Sequence, residues 1–179
     1  MNPAPNLVLV GPMGAGKTSI GKRLATRLGL EFVDVDLRLE QLAGATVPVI
    51  FELEGEAGFR SREQQLLADL MRGREQVIAT GGGAVLSPAT REQLRQRGFV
   101  VYLKAGIAQQ LARLARDHSR PLLAGGARRE TLESLAAARN PLYEEVADMV
   151  FESDGLSISA AANRVCAQVR AQWQREEAA

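Results

Sequence analysis

The stretch NLVLVGPMGAGKTSIGKRL, residues 6–24, decides the fold. Five residues of nearly continuous apolar character (6–10) run into Gly11-Pro-Met-Gly-Ala-Gly-Lys-Thr18. Helically spaced apolar positions follow over Lys17–Leu28. A buried strand, a glycine-rich turn and a helix opening on Lys-Thr are the context that G-x-x-x-x-G-K-[ST] demands of a phosphate-binding loop. Its glycines let backbone N–H groups converge on phosphate oxygens, and the helix N-terminus adds a favourable dipole. Contacts to a nucleoside triphosphate are expected from Gly14, Ala15, Gly16, Lys17, Thr18 and Ser19. Lys17 would reach the β- and γ-phosphates, and the Thr18 hydroxyl would complete a Mg²⁺ coordination sphere.

Outward from this loop, strand-like runs recur at residues 31–35 (EFVDV), 76–80 (QVIAT), 99–103 (FVVYL) and 148–152 (DMVFE). They are short, β-branched and almost wholly apolar, as strands of a parallel sheet covered on both faces read. Helical spacing occupies 61–71, 88–97, 107–115, 130–147 and 157–173 between and after them. Strand alternating with helix five times predicts a three-layer α/β/α domain around a five-stranded parallel sheet. Two segments break the rhythm. About forty residues separate the second and third strands, more than one crossover helix needs, which predicts a helical insertion. Residues 115–129 carry DHSRPLLAGGAR, with Pro, paired Gly and basic residues, the chemistry of a hinged lid.

Composition narrows the function class. The 179 residues suffice for one domain with a proper core, spanning 1–179, with a frayed polar tail at 174–179. A formal net charge of +1 gives no reason to expect nucleic acid or an anionic membrane as partner. Arg outnumbers Lys 19 to 3, and some of these forks could grip planar anions. Cys166 is the only cysteine, which excludes an intrachain disulfide; it reads as core filler. The first ten residues lack a basic n-region, and no apolar run approaches the roughly 20 residues of a membrane span. A cytoplasmic protein is expected. No guanine-reading N-K-x-D and no LSGGQ signature exists, so a GTPase switch and a transporter-type ATPase are disfavoured, and a small-molecule kinase is favoured.

A second anion site is expected opposite the loop. Asp34 and Asp36, two apart at the carboxyl end of the second strand, would share a face. Asp36 as the N-cap of the next helix is the alternative. Arg60, with Glu63 a turn onward, Gly81-Gly82-Gly83 after the third strand, and Arg139 could converge at the same sheet edge, where open parallel sheets bind ligands. Three successive glycines would let a carboxylate or hydroxyl approach the backbone closely. The triple glycine is thus assigned to the phosphoryl acceptor, not the donor.

The segments GPMGAGKTSIGKRLA, FVDVD, FELEGEAGFRSRE, ATGGGAV, SRPLL and ARNPLYEEVA stand in the order and spacing of shikimate kinases, and the resemblance covers residues 6–152. It implies a nucleoside-monophosphate-kinase-like fold with a substrate-binding helical region (36–73) and a mobile lid. It also implies transfer of the γ-phosphoryl of MgATP to the 3-hydroxyl of shikimate, in the route to aromatic amino acids, by a monomer. By the same resemblance Asp36 binds the acceptor hydroxyl, Arg60 and Arg139 grip the substrate carboxylate, and Gly82 contributes backbone. Arg120 reaches the transferring phosphate, Arg113 flanks the adenine, and Asp34 orients Mg²⁺ through water. Lys17, Asp36 and Arg120 would then carry the chemistry. Thr18 stands where many relatives have serine, which keeps the hydroxyl. His118 reads as a solvated lid residue. A different small-metabolite kinase, such as a gluconate kinase, and a non-catalytic nucleotide-binding regulator remain the rivals.

Overall fold

A computed structural model describes residues 4–174; the expected tail beyond Gln174 lies outside the described residues. Five strands, β1 (Asn6–Val10), β2 (Glu31–Asp34), β3 (Gln76–Ala79), β4 (Gly98–Lys104) and β5 (Met149–Glu152), pair in parallel in the order β2-β3-β1-β4-β5. Among the described residues seven α-helices accompany them: α1 (Lys17–Leu28), α2 (Val35–Ala43), α3 (Val47–Leu70), α4 (Pro88–Arg97), α5 (Ile107–Leu114), α6 (Arg128–Val146) and α7 (Ile158–Gln172).

The sheet is covered on both sides, and β1 shows why its sequence has no polar alternation. Leu7 and Leu9 point into a core shared with Ile20 and Leu24 of α1 and Val165, Cys166 and Val169 of α7. Val8 and Val10 point the other way, to Leu67 of α3, Leu94 of α4 and Tyr143 of α6. All four β1 side chains are fully buried. Truncating either leucine to Ala should cost about 2–5 kcal/mol. Cys166 is core, as expected. At the amino edge Asn6 closes the β1–β3 entry: its Nδ2 donates to Gly73 O (2.9 Å) and its Oδ1 accepts from Gln76 N (3.3 Å).

All strands run the same way, so the segments following them meet at one edge. The phosphate loop follows β1 at the centre of the sheet, Asp34 ends β2, and the triple glycine follows β3. Two boundaries differ from the sequence reading. The second strand stops at Asp34, because the Asp34 carboxylate accepts the Leu37 N–H (3.0 Å) and starts α2 at Val35. Asp36 therefore sits in the first turn of α2 and does not share a strand face with Asp34; the capping role suggested for Asp36 belongs to Asp34. The insertion also holds more helix than expected: α3 begins at Val47, and Gly55 (φ 70°, ψ 180°) breaks it in the middle. Glu54 and Arg62 bridge that break with two hydrogen bonds of 2.6 and 2.7 Å.

Candidate active site

A cleft of about 610 Å³ opens at the carboxyl edge of the sheet. On one side the loop 11–18 turns through Gly14 and Gly16, whose φ values of +76° and +90° lie where side-chain-bearing residues are strained. Lys17 curls over the loop, its Nζ donating to Gly11 O (2.7 Å) and Pro12 O (2.9 Å). Burial of its ammonium, reinforced by nearby Arg120, brings its pKa down to about 8. Thr18 Oγ1 donates to Asp34 Oδ2 (2.6 Å). Arg113 Nη1 donates to Gly14 O (2.8 Å), so α5 braces the loop from the side.

Thr18 and Asp34 offer a hydroxyl and a carboxylate, hard oxygen donors suited to Mg²⁺, which binds few protein ligands and keeps waters and phosphate oxygens. No cluster of three or more His, Cys, Asp or Glu able to hold a metal exists among the described residues. The hydroxyl and carboxylate fit a magnesium ion that takes its remaining ligands from water and phosphate.

Across the cleft the triple glycine has a steric role beyond the close backbone approach expected of it. Each glycine makes room for a side chain. A Cβ on Gly81 would sit 2.7 Å from Glu63 Oε2 and 3.1 Å from Asp36 Oδ1. One on Gly82 would sit 3.3 Å from Arg139 Nη1, and one on Gly83 would overlap the Arg60 guanidinium. Two arginines and two carboxylates are thereby packed against bare backbone.

The two arginines are held unequally. Arg60 Nη1 donates to Glu63 Oε1 (2.9 Å) and its Nη2 to Glu56 Oε1 (3.4 Å), while its guanidinium stacks 5.3 Å from the Phe59 ring centroid. Arg139, only 4% exposed, forms no ion pair within 4.0 Å among the described residues. A buried guanidinium without a carboxylate is costly unless an anion joins it. Asp36 Oδ1, Arg60 Nε and Glu63 Oε2 are buried with no hydrogen-bond partner among the described residues. They offer two acceptors and one donor to whatever enters. Burial, then the neighbouring Asp34, raises the Asp36 pKa against the pull of Arg120 and Lys17. Burial likewise raises that of Glu63.

While residues 128–129 of the expected lid already belong to α6, residues 115–127 border this space as a loop with one short 3₁₀ turn, Pro121–Leu123. Its base is fastened by an apolar cluster of Met13, Leu114, Leu123 and Leu132. Arg128 donates to the Leu114 and Asp117 carbonyls, tying both ends of the loop. Arg120 Nε donates to Asp117 Oδ2 (3.1 Å), and its Nη1 lies 3.8 Å from Asp36 Oδ2, so it ties the loop to Asp36. Burial alone would raise the Asp117 pKa, but hydrogen bonds from Ser119 and Arg120 outweigh it and lower it. His118 is exposed.

Gly14, Gly16, Lys17, Thr18, Ser19, Asp34, Asp36, Arg60, Gly81, Gly82, Gly83, Arg113, Arg120 and Arg139 all line this one cleft. Ala15 does not; its side chain is in the core, and its N–H donates to Pro12 O within the loop. Three contributors escaped the sequence reading. Asp117 and Arg128 of the lid segment and Tyr143, whose hydroxyl donates to Gly82 O, are not singled out by any sequence motif. Only the i, i+4 spacing of Arg139 and Tyr143 on one helix face could have flagged the last.

Comparison with known proteins identifies the family. The shikimate kinase family model matches residues 13–170. A shikimate kinase of Stenotrophomonas maltophilia (strain R551-3) is 52% identical over 177 residues, covering 99% of this chain and 98% of that protein. The shikimate kinase of Acinetobacter baumannii, solved in complex with shikimate, superposes with a TM-score of 0.91 at 45% identity, covering 95% of each chain. That of Aquifex aeolicus superposes at 0.77 with 27% identity, covering 93% of this chain and 96% of the other. Near-complete coverage at about half identity, on the fold and cleft described above, means that the chain belongs to the shikimate kinase family.

Proposed function

We propose that this protein transfers the γ-phosphoryl group of ATP to the 3-hydroxyl of shikimate, giving shikimate 3-phosphate and ADP on the route to chorismate and the aromatic amino acids. The observation that carries the reading is the convergence of Asp36, Arg60 and Arg139 on the triple glycine, across the cleft from the phosphate loop. An acceptor bearing a carboxylate and several hydroxyls matches one buried and one half-buried guanidinium beside two partnerless carboxylate oxygens.

The residues divide the work by position. The loop 14–19 and Lys17 hold the triphosphate, and Arg113 sits at the nucleotide side. Mg²⁺, held by the Thr18 hydroxyl and through water by Asp34, would neutralise charge on the β- and γ-phosphates. Arg60, Arg139 and Gly82 seat the carboxylate. Asp36 orients the attacking hydroxyl and takes its proton as the new O–P bond forms and the bond to the β-phosphate bridging oxygen breaks. Burial raises the Asp36 pKa above its ordinary value, which makes the carboxylate a better proton acceptor. Arg120 stabilises charge on the group in transit, and the lid at 115–129 excludes water from it. In this reading one kinase domain acts as a monomer in the cytoplasm, with 36–73 as its acceptor-binding region. No helix among the described residues is long and apolar enough to cross a membrane.

The test is ADP release with MgATP and shikimate, gluconate, quinate or no acceptor, for wild type and Asp36→Asn. Turnover confined to shikimate and lost in the variant is expected. Turnover with gluconate instead would reassign the substrate. Nucleotide binding without turnover on any acceptor would leave a regulator.

A further inference from the structure

Asp117 is a lid carboxylate that the transfer mechanism above does not use. Its backbone is fastened on both sides: its N–H donates to Leu114 O (3.0 Å), and its carbonyl accepts from Arg128 Nη2 (2.7 Å). The two side-chain oxygens divide their work. Oδ1 accepts from the Ser119 N–H (2.8 Å) and the Ser119 hydroxyl (2.6 Å), which closes a turn within the loop. Oδ2 accepts from Arg120 Nε (3.1 Å), the one side-chain hydrogen bond of Arg120 among the described residues. The Arg120 backbone is held as well. Its carbonyl accepts from the Leu123 N–H (3.0 Å), and Leu123 belongs to the apolar cluster at the base of the lid. A bond through Nε leaves both Nη groups of the guanidinium free to donate elsewhere. Nη1 lies 3.8 Å from Asp36 Oδ2, within reach of an ion pair and beyond hydrogen-bonding distance.

We infer that Asp117 is a positioning residue for phosphoryl transfer: it holds the Arg120 guanidinium by its Nε edge, so that both Nη groups can meet the group in transit. This rests on the reading of Arg120 as the residue that stabilises charge on that group. Two physical reasons favour such a tether. An untethered arginine would lose rotamer freedom at the moment of transfer, whereas one already held has less to lose. Asp36 is also a rival carboxylate. Released from Asp117, Arg120 would close the 3.8 Å gap and pair with Asp36, the group assigned to the acceptor hydroxyl. Asp117 thus keeps a cation beside Asp36 without letting it occupy the carboxylate. Because Arg128 of α6 grips the Asp117 carbonyl, this carboxylate takes its place from a helix rather than from the loop alone.

The experiment is a double-mutant cycle on kcat with MgATP and shikimate, comparing wild type, Asp117→Asn, Arg120→Ala and the double variant. Asp117→Asn keeps one oxygen for Ser119, so the turn survives, but it sets an amide N–H₂ against a guanidinium that can only donate. Its kcat should fall about tenfold, the scale of one hydrogen bond to a charged group. Its KM for shikimate should stay within about twofold, because Arg60 and Arg139 are untouched. In the Arg120→Ala background the same substitution should change kcat by less than about twofold, since the side chain it acts through is gone. An equal loss in both backgrounds would make Asp117 merely structural and overturn the inference. A kcat near wild type in Asp117→Asn alone would overturn it too. Asp117→Ala carries the same cycle if the asparagine variant does not fold, because the ties to Leu114 and Arg128 are made by the backbone at 117. If Arg120→Ala itself turns over like wild type, the reading of Arg120 falls and the inference with it, while turnover confined to shikimate would still identify the acceptor.

Discussion

The donor and acceptor sides of the cleft are made by opposite means. The donor side is one continuous stretch, 11–19, built mainly of backbone, with glycines at positive φ and a helix N-terminus behind them. The acceptor side is assembled from side chains on α2, α3, α6 and the lid, which meet only because three glycines leave space for them. A site written in contiguous backbone fails locally when its own residues change. A site written in dispersed side chains can be broken from a distance, by anything that moves one of the contributing elements. The donor side also satisfies its own polar groups, with Lys17 and Arg113 on loop carbonyls, whereas the acceptor side keeps three buried polar atoms without partners among the described residues.

The largest effect is expected where the two sides join. Arg120 is the side chain that reaches Asp117 and Asp36 at once. Arg120→Ala should lower kcat on the order of 10³, if it acts like other charge-stabilising arginines. Turnover near wild type in that variant would remove the lid from the chemistry and leave two independent half-sites. Asp36→Asn comes next. It keeps the side-chain shape in the first turn of α2 but cannot take a proton, so kcat should fall by roughly 10², the lower end for a positioned acid or base. A loss confined to KM for shikimate would mean that Asp36 only orients the hydroxyl.

The glycines sharpen the comparison further. Gly83→Ala places a methyl group on the Arg60 guanidinium and should raise the KM for shikimate about tenfold, the cost of a displaced charged hydrogen bond, with the KM for ATP unchanged. Gly81→Ala instead presses on Glu63 and Asp36, at 2.7 and 3.1 Å, so it should lower kcat as well. Identical kinetic profiles for the two would show that the loop shifts as a unit, and that the separate pockets inferred for the three glycines do not exist.

The same contrast governs what could be read from the sequence. The five strands, their parallel pairing and the helices Lys17–Leu28 and Pro88–Arg97 follow from apolar runs and periodicity, which are local signals; the order of the strands in the sheet does not. The phosphate loop follows from spacing alone. Arg60 and Arg139, 79 positions apart, carry no local signal that distinguishes them among many surface arginines; the resemblance brought them together. The start of α2 was misjudged because FVDVD reads as strand by composition, and only the capping bond from Leu37 to Asp34 ends the strand early. The first half of α3 was missed because Pro48 and the Gly55 break obscure its period. Tyr143 was hidden because a buried tyrosine on a helix looks like packing until the partner of its hydroxyl is known.

The smallest expected effect concerns stability and not turnover. Burial raises the Glu63 pKa above its ordinary 4.5, and the adjacent Arg60 only partly opposes it. An acid whose folded pKa lies above its unfolded one binds its proton more tightly in the native state. Its contribution to stability is therefore complete below the unfolded value and lost as pH rises through the folded one. Asp36 is shifted in the same sense from 3.8. Glu63→Gln keeps the shape and removes the titration. The difference in Tm, variant minus wild type, should accordingly climb as pH rises from about 4.5 and level off once wild-type Glu63 is ionised. Exposed carboxylates with lowered pKa values, such as Glu54 and Glu92, are common to both proteins and cancel. A difference that falls with pH would reverse the balance: the Arg60 ion pair would outweigh burial, and Glu63 would stabilise the acceptor side as a carboxylate. The climbing curve instead marks a carboxylate kept ionised at a cost to the fold, beside an arginine it orients and a glycine that makes room for it.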